Sequence, residues 1–139
     1  MNISKSITVL VLNNSKKISG LVCSIVLLTR YKNNFSLGLY RTDDNGSFTI
    51  TKEKMEFEIK ENAEFFLMDY NDSPENLIGS IEIKIENTED LEKRINRIEE
   101  YFPEKFNDIK SILNNSKNDI ISSTITIIMP INDLIVVNI

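Results

Sequence analysis

"IEIKIENTEDLEKRINRIEE", residues 81–100, contains the change of period on which the reading of this chain turns. Through its first six residues, Ile81, Ile83 and Ile85 alternate with Glu82, Lys84 and Glu86. Successive side chains of a strand point to opposite faces, so a period of two describes a half-buried β-strand. Then the pattern changes. Asn87 or Thr88 can cap a helix, and Glu89 and Asp90 place negative charge in its first turn, where the helix dipole favours it. Leu91, Ile95, Ile98, Phe102, Phe106, Ile109 and Leu113 follow at spacings of four and three, a single apolar stripe. Pro103 falls within the stripe without changing its phase. The prediction is a helical segment over about 88–114, kinked or broken near Pro103, with the stripe in the core.

Outward from this stretch the chain reads as short strands. Ile7, Val9 and Val11 alternate with Thr8, Leu10 and Leu12, which leaves both faces partly apolar. "NNSKKISG" supplies turn residues before the apolar run "LVCSIVLL". Phe35, Leu37 and Leu39 alternate with Ser36, Gly38 and Tyr40. Phe48 and Ile50 follow the next turn, and Met55, Phe57 and Ile59 then alternate with Glu56, Glu58 and Lys60 as a further strand. Near the end, 124–129 and 134–139 flank "PIND" as a final hairpin or a bent pair of strands. Neither a repeat nor a composition break divides the 139 residues, so residues 1–139 read as one domain. The expected fold is mainly β, a two-sheet β-sandwich of about seven to eight short strands with one helical insertion.

Composition excludes several function classes. A net charge of −5 is the wrong sign for a protein that binds nucleic acid by displacing counterions. Without histidine, no Ser-His, Cys-His or His-metal arrangement can form. The single cysteine, Cys23, lies in an apolar run and reads as a buried thiol. Pro130, Asn132 and Asp133 interrupt the apolar tail, which therefore does not read as a membrane span, and the expected location is cytoplasmic. Abundant Ile, Asn and Lys point to an A·T-rich bacterial or phage genome.

"RTDDNGSFTI", residues 41–50, has the look of a calcium loop. With Gly46 at the sixth position, the first and twelfth ligands would be Arg41 and Lys52, both cations. As a turn the same residues make sense, with Gly46 supplying positive φ in a tight hairpin.

The run from "ITVLVLNNSKKISGLVCSIVLL" through "LYRTDDNGSFTI" resembles the opening of a transthyretin-like or carboxypeptidase-regulatory-like (prealbumin-like) β-sandwich, over roughly residues 7–60. Thr42, Asp43, Gly46 and Phe48 occupy that superfamily's Thr-Asp-x-x-Gly-x-Phe hairpin. The resemblance implies a sandwich. It does not imply the superfamily's hydroxyisourate hydrolase activity, which relies on histidines and a C-terminal Tyr-Arg-Gly-Ser, whereas this chain ends in "VVNI".

The function expected is a non-catalytic protein-interaction module, an accessory or immunity-type protein, with no catalytic residue, cofactor or metal. Its candidate partner-binding residues are Asp69, Tyr70, Asp72, Pro74 and Glu75, an aromatic beside acids at a strand end. The negative charge favours a basic protein partner. The next candidate is the polar face of the helix around Arg94, Arg97 and Glu100. One alternative is a hydrolase or small-ligand-binding protein using the acidic loop 69–76. Another is a structural homo-oligomer subunit whose apolar terminal strands pair between copies.

Overall fold

Ile7–Asn13 forms β1, on which the first of two sheets is built. The computed structural model describes residues 6–29, 34–62 and 78–139. From β1 the chain turns through Asn14 and Ser15, at φ 52° and 66°, into β2, Lys16–Lys17. Two central residues at positive φ are the mark of the type I′ turn, whose twist matches that of the flanking strands. β3, Val22–Thr29, and β4, Asn34–Arg41, pair antiparallel in the second sheet. β5, Ser47–Ile50, returns to β1, and α1, Lys52–Asn62, follows it. β6, Ile78–Ile85, pairs with β3 and leads into α2, Thr88–Tyr101, and α3, Pro103–Leu113. After a 3-10 turn at Asn118–Ile120, β7, Ile125–Pro130, joins β6, and β8, Leu134–Asn138, runs parallel to β1.

The protein is therefore mainly β, and its described residues form two four-stranded sheets in a sandwich-like arrangement. The second has the order β4-β3-β6-β7; in the first, β1 lies between β8 on one edge and β5 and β2 on the other. Alternation produces the core. Ile7, Val9 and Val11 from β1, with Ile135 and Val137 from β8, belong to the same buried cluster as Ile25 and Leu27 from β3 and Ile81, Ile83 and Ile85 from β6. Cys23 belongs to that cluster, and burial pushes its thiol up to about 12, so it stays protonated and unreactive near neutrality.

Five expectations are corrected. Residues 55–59 are helical, so the described residues hold three α-helices rather than one late segment. Met55 and Ile59, four apart, are buried together, while Phe57 is 57% exposed. The run "KEKMEFEIKEN" holds a single β-branched residue, and its Lys, Glu and Met favour helix over strand. Thr51 caps this helix by accepting the Lys54 N–H at 3.1 Å, and Lys54 pairs with Glu58 one turn on. The "TDDNGS" turn is not a hairpin, because it carries the chain from β4 in one sheet to β5 in the other. "PIND" likewise crosses between sheets, from β7 to β8. Leu39 leaves the face shared by Phe35 and Leu37. Gly38, at φ 88°, sits at a β-bulge where Ile25 pairs with Gly38 but Val26 with Ser36. Leu39 pairs with Ser24, and Tyr40 turns inward to stack on Phe48 with ring centroids 5.2 Å apart.

The fifth correction concerns the apolar stripe. Of its seven members, Leu91 alone is buried. Ile95, Ile98, Phe106, Ile109 and Leu113 are half-buried, and Phe102 is 55% exposed. The stripe is continuous, but it forms the seam between α2 and α3, which pack on each other, and α3 rests on β4 at the edge of the sandwich. No helix among the described residues is long and apolar enough to cross a membrane.

Candidate interaction surface

The α2–α3 pair is fastened at its base and open at its apex. Asn87 caps α2, its Oδ1 accepting the Asp90 N–H at 2.9 Å, and Thr124 donates its hydroxyl to Asp90. Glu86, buried at the end of β6, takes Nε and Nη2 of Arg94 on its Oε1. A buried carboxylate needs such a partner, and the pair fixes the direction in which α2 leaves the sheet. Arg41, at the end of β4, donates to the carbonyls of Ile112, Asn114 and Asn115. The first two are among the carbonyls a helix C-terminus leaves unmet, and a cation is favoured there.

Asn118 holds the junction behind this. Its Oδ1 accepts the Val22 N–H at 2.9 Å, and its Nδ2 donates to the carbonyls of Val22 at 3.0 Å and Glu86 at 2.8 Å. It is fully buried. Thr42 plays a similar part, donating to the Ile18 carbonyl at 2.6 Å and accepting the Leu21 N–H at 3.0 Å. Both side chains serve backbone that leaves regular pairing.

The apex is different. Phe102, at φ −139° and ψ 63°, ends α2 and begins α3, with Pro103 in the first turn of α3. Its backbone bridges the break: the Phe102 N–H donates to Ile98 and the Phe102 carbonyl accepts from Phe106. Tyr101 is 67% exposed, and Lys105 Nζ stands 5.0 Å above the Phe102 ring. Farther along the pair, Ile95, Phe106, Lys110 and Leu113 line an open groove of ≈ 540 Å³. Two exposed aromatics and an apolar groove on a packed helix pair can contact a macromolecule.

The sequence-derived residues fare unequally. Asp69, Tyr70, Asp72, Pro74 and Glu75, and the acidic loop 69–76, lie outside the described residues. Arg94 is committed to Glu86, which leaves Arg97 and Glu100 of the polar face. Asp43 Oδ1 accepts from the Ser47 N–H at 3.1 Å, the Asn45 N–H at 2.8 Å and the Ser47 hydroxyl at 3.3 Å. The backbone hydrogen bond from Ser47, followed by the Asn45 amide and Ser47 hydroxyl, outweighs the opposing desolvation and holds this carboxyl below its ordinary range. Gly46 lies at φ 73° with its N–H donated to Asp43, so these oxygens close a turn. Among the described residues no group of three or more Cys, Asp or Glu side chains is placed to hold a metal. Tyr101 and Phe102 were hidden in the sequence because Phe102 keeps the phase of the stripe. Pro103, which forces the break, was the available signal. No protein-family profile, curated protein or solved structure matches this chain.

Proposed function

We propose that this chain is a non-catalytic protein-interaction module, an accessory or immunity-type protein of a bacterial or phage system, whose partner docks on the α2–α3 pair. A transthyretin-like ancestry for the sandwich belongs to the same proposal, on the strength of Thr42, Asp43, Gly46 and Phe48. The observation that carries the docking site is the exposure of Tyr101 and Phe102 at the junction of two helices that also bear an open apolar groove. Aromatics in such a setting supply large contact area at small entropic cost, and they dominate binding energy where they are buried by a partner. A helix laid along the seam, with anchors at helical spacing, is the mode of recognition that such a groove suits. The net charge of −5 favours a basic partner and speeds encounter at low salt.

The test is capture of the partner from an extract of the native cells on immobilised protein. The double variant Tyr101→Ala/Phe102→Asp keeps the fold, because both side chains are exposed, and should lose the partner that the wild type retains. Ile128→Lys, on the edge strand β7, should retain it. Equal capture by all three would show that the α2–α3 apex is not the docking site.

A further inference from the structure

We propose that two copies of this chain associate through β8, antiparallel and about a two-fold axis at Val136, so that their β1-containing sheets become one continuous sheet. One edge of β8 is occupied by β1, and among the described residues no strand pairs with the other. The direction of the backbone groups follows from two hydrogen bonds. Thr8 N–H donates to the Asp133 carbonyl and Ile139 N–H to the Leu12 carbonyl, each at 2.8 Å. Odd-numbered positions of this strand therefore bond toward β1. The N–H and C=O groups of Leu134, Val136 and Asn138 point to the open edge.

Among the described residues, every other edge strand carries a feature that discourages pairing. β2 is two lysines long, β4 is broken by the bulge at Gly38, and β7 carries Pro130. β5 is four residues long and runs directly into the turn before α1. β8, "LIVVN", has no charge, proline or glycine. Two of its three outward side chains are apolar, Leu134 at 56% and Val136 at 39% exposed, and the third is Asn138. Leu134 and Val136 stand beside Thr8 and Leu10 of β1 in the parallel register.

A second copy is the occupant that this strand suits. With Val136 on the axis, Leu134 lies opposite Asn138 of the other copy, and each hydrogen-bonded pair exchanges two N–H···O bonds. Val136 meets its own copy, so the apolar strip through Leu10 and Val136 runs unbroken across the seam. Asp133 falls opposite the Ile139 side chain instead of another acidic side chain. The interface is isologous and closes at two copies. It is short, at the small end of specific interfaces, so association depends on concentration.

Sedimentation of the full chain over a roughly hundredfold concentration range measures this. The wild type should pass from one chain to two, Val136→Lys should remain a single chain, and Val136→Pro, which removes an N–H that β1 does not use, should do the same. Ile128→Lys, at a more exposed position and on β7, should dimerise as the wild type does. A wild type that sediments as one chain throughout, a dimer that survives both Val136 variants, or one lost equally in Ile128→Lys would each overturn the proposal. Val136 is remote from Tyr101 and Phe102 in the chain and on a different element, so these outcomes are independent of partner capture at the helical apex.

Discussion

Replacing Asn118 by alanine should be among the most damaging single changes in this protein, though no sequence pattern marks the residue. The amide makes three hydrogen bonds to backbone, with the Val22 N–H, the Val22 carbonyl and the Glu86 carbonyl. At about 0.5–1.5 kcal/mol net for each, their loss alone costs roughly 1.5–4.5 kcal/mol. The backbone groups left behind are shielded from water, because Asn118 is fully buried, which places the total near 3–5 kcal/mol. Domains of this kind are stable by roughly 5–15 kcal/mol, so the variant should fold but melt early. In urea, with a slope of about 2 kcal/mol/M, the midpoint should fall by about 1.5–2.5 M at unchanged slope. Asn118→Asp should be worse still, because it aims a carboxylate at two carbonyls. Asn114→Ala, at an exposed neighbouring position, should stay within about 0.5 kcal/mol of wild type. A loss below about 1 kcal/mol in Asn118→Ala would mean that the amide does not hold β3 to β6 as described.

Three further outcomes are expected. A Cβ at Gly46 would lie 3.0 Å from Lys17 Cβ and 3.1 Å from the Ile18 nitrogen, whereas one at Gly38 meets nothing within 4 Å. Both glycines have positive φ, so Gly38→Ala should cost about 1 kcal/mol and Gly46→Ala about 2–4 kcal/mol in the same urea assay; equal costs would remove the close approach of the turn to β2. Ile83→Asp should abolish cooperative melting and Ile95→Asp should not, since Ile83 is fully buried and Ile95 lines an open groove; the reverse order would return the stripe to the core. Asp43 has its carboxyl pKa lowered on folding, so its ionised form contributes stability above the unfolded value of about 3.9, and that contribution is lost as pH falls through the folded value. The melting-temperature gap between wild type and Asp43→Asn should close on acidification below the ordinary carboxylate range, and a gap independent of pH would show that the charge is not involved.

The sheets were largely legible because β-branched and apolar residues repeat at a period of two, as in Ile81, Ile83 and Ile85. Where that rule misled, a second period was superimposed. Met55, Phe57 and Ile59 satisfy alternation, but Met55 and Ile59 are also four apart, and the surrounding Lys and Glu decide for helix. Gly38 shows the limit within a true strand, since one bulge moves Leu39 to the other face and no pattern announces it. The stripe from Leu91 to Leu113 was read correctly as one face and incorrectly as core, because periodicity gives the side of a helix but not what covers it. Sheet membership was the least legible feature. "TDDNGS" and "PIND" have the chemistry of turns, and whether a turn closes a hairpin or crosses the sandwich depends on partners far away in sequence. Asn118 could not be found for the same reason, as its partners are β3 and the end of β6. The candidates from Asp69 to Glu75 lie outside the described residues, and of the two exposed aromatics Phe102 occupies a position that periodicity had assigned to the interior.

Whether the α2–α3 pair is the binding surface is tested most directly by amide hydrogen exchange on the protein alone and with its captured partner. Slow exchange gained on binding should concentrate between Ile95 and Leu113, with the amides around Tyr101 and Phe102 among the most protected. Protection confined to the sheet strands, with 95–113 exchanging as in the free protein, would contradict it.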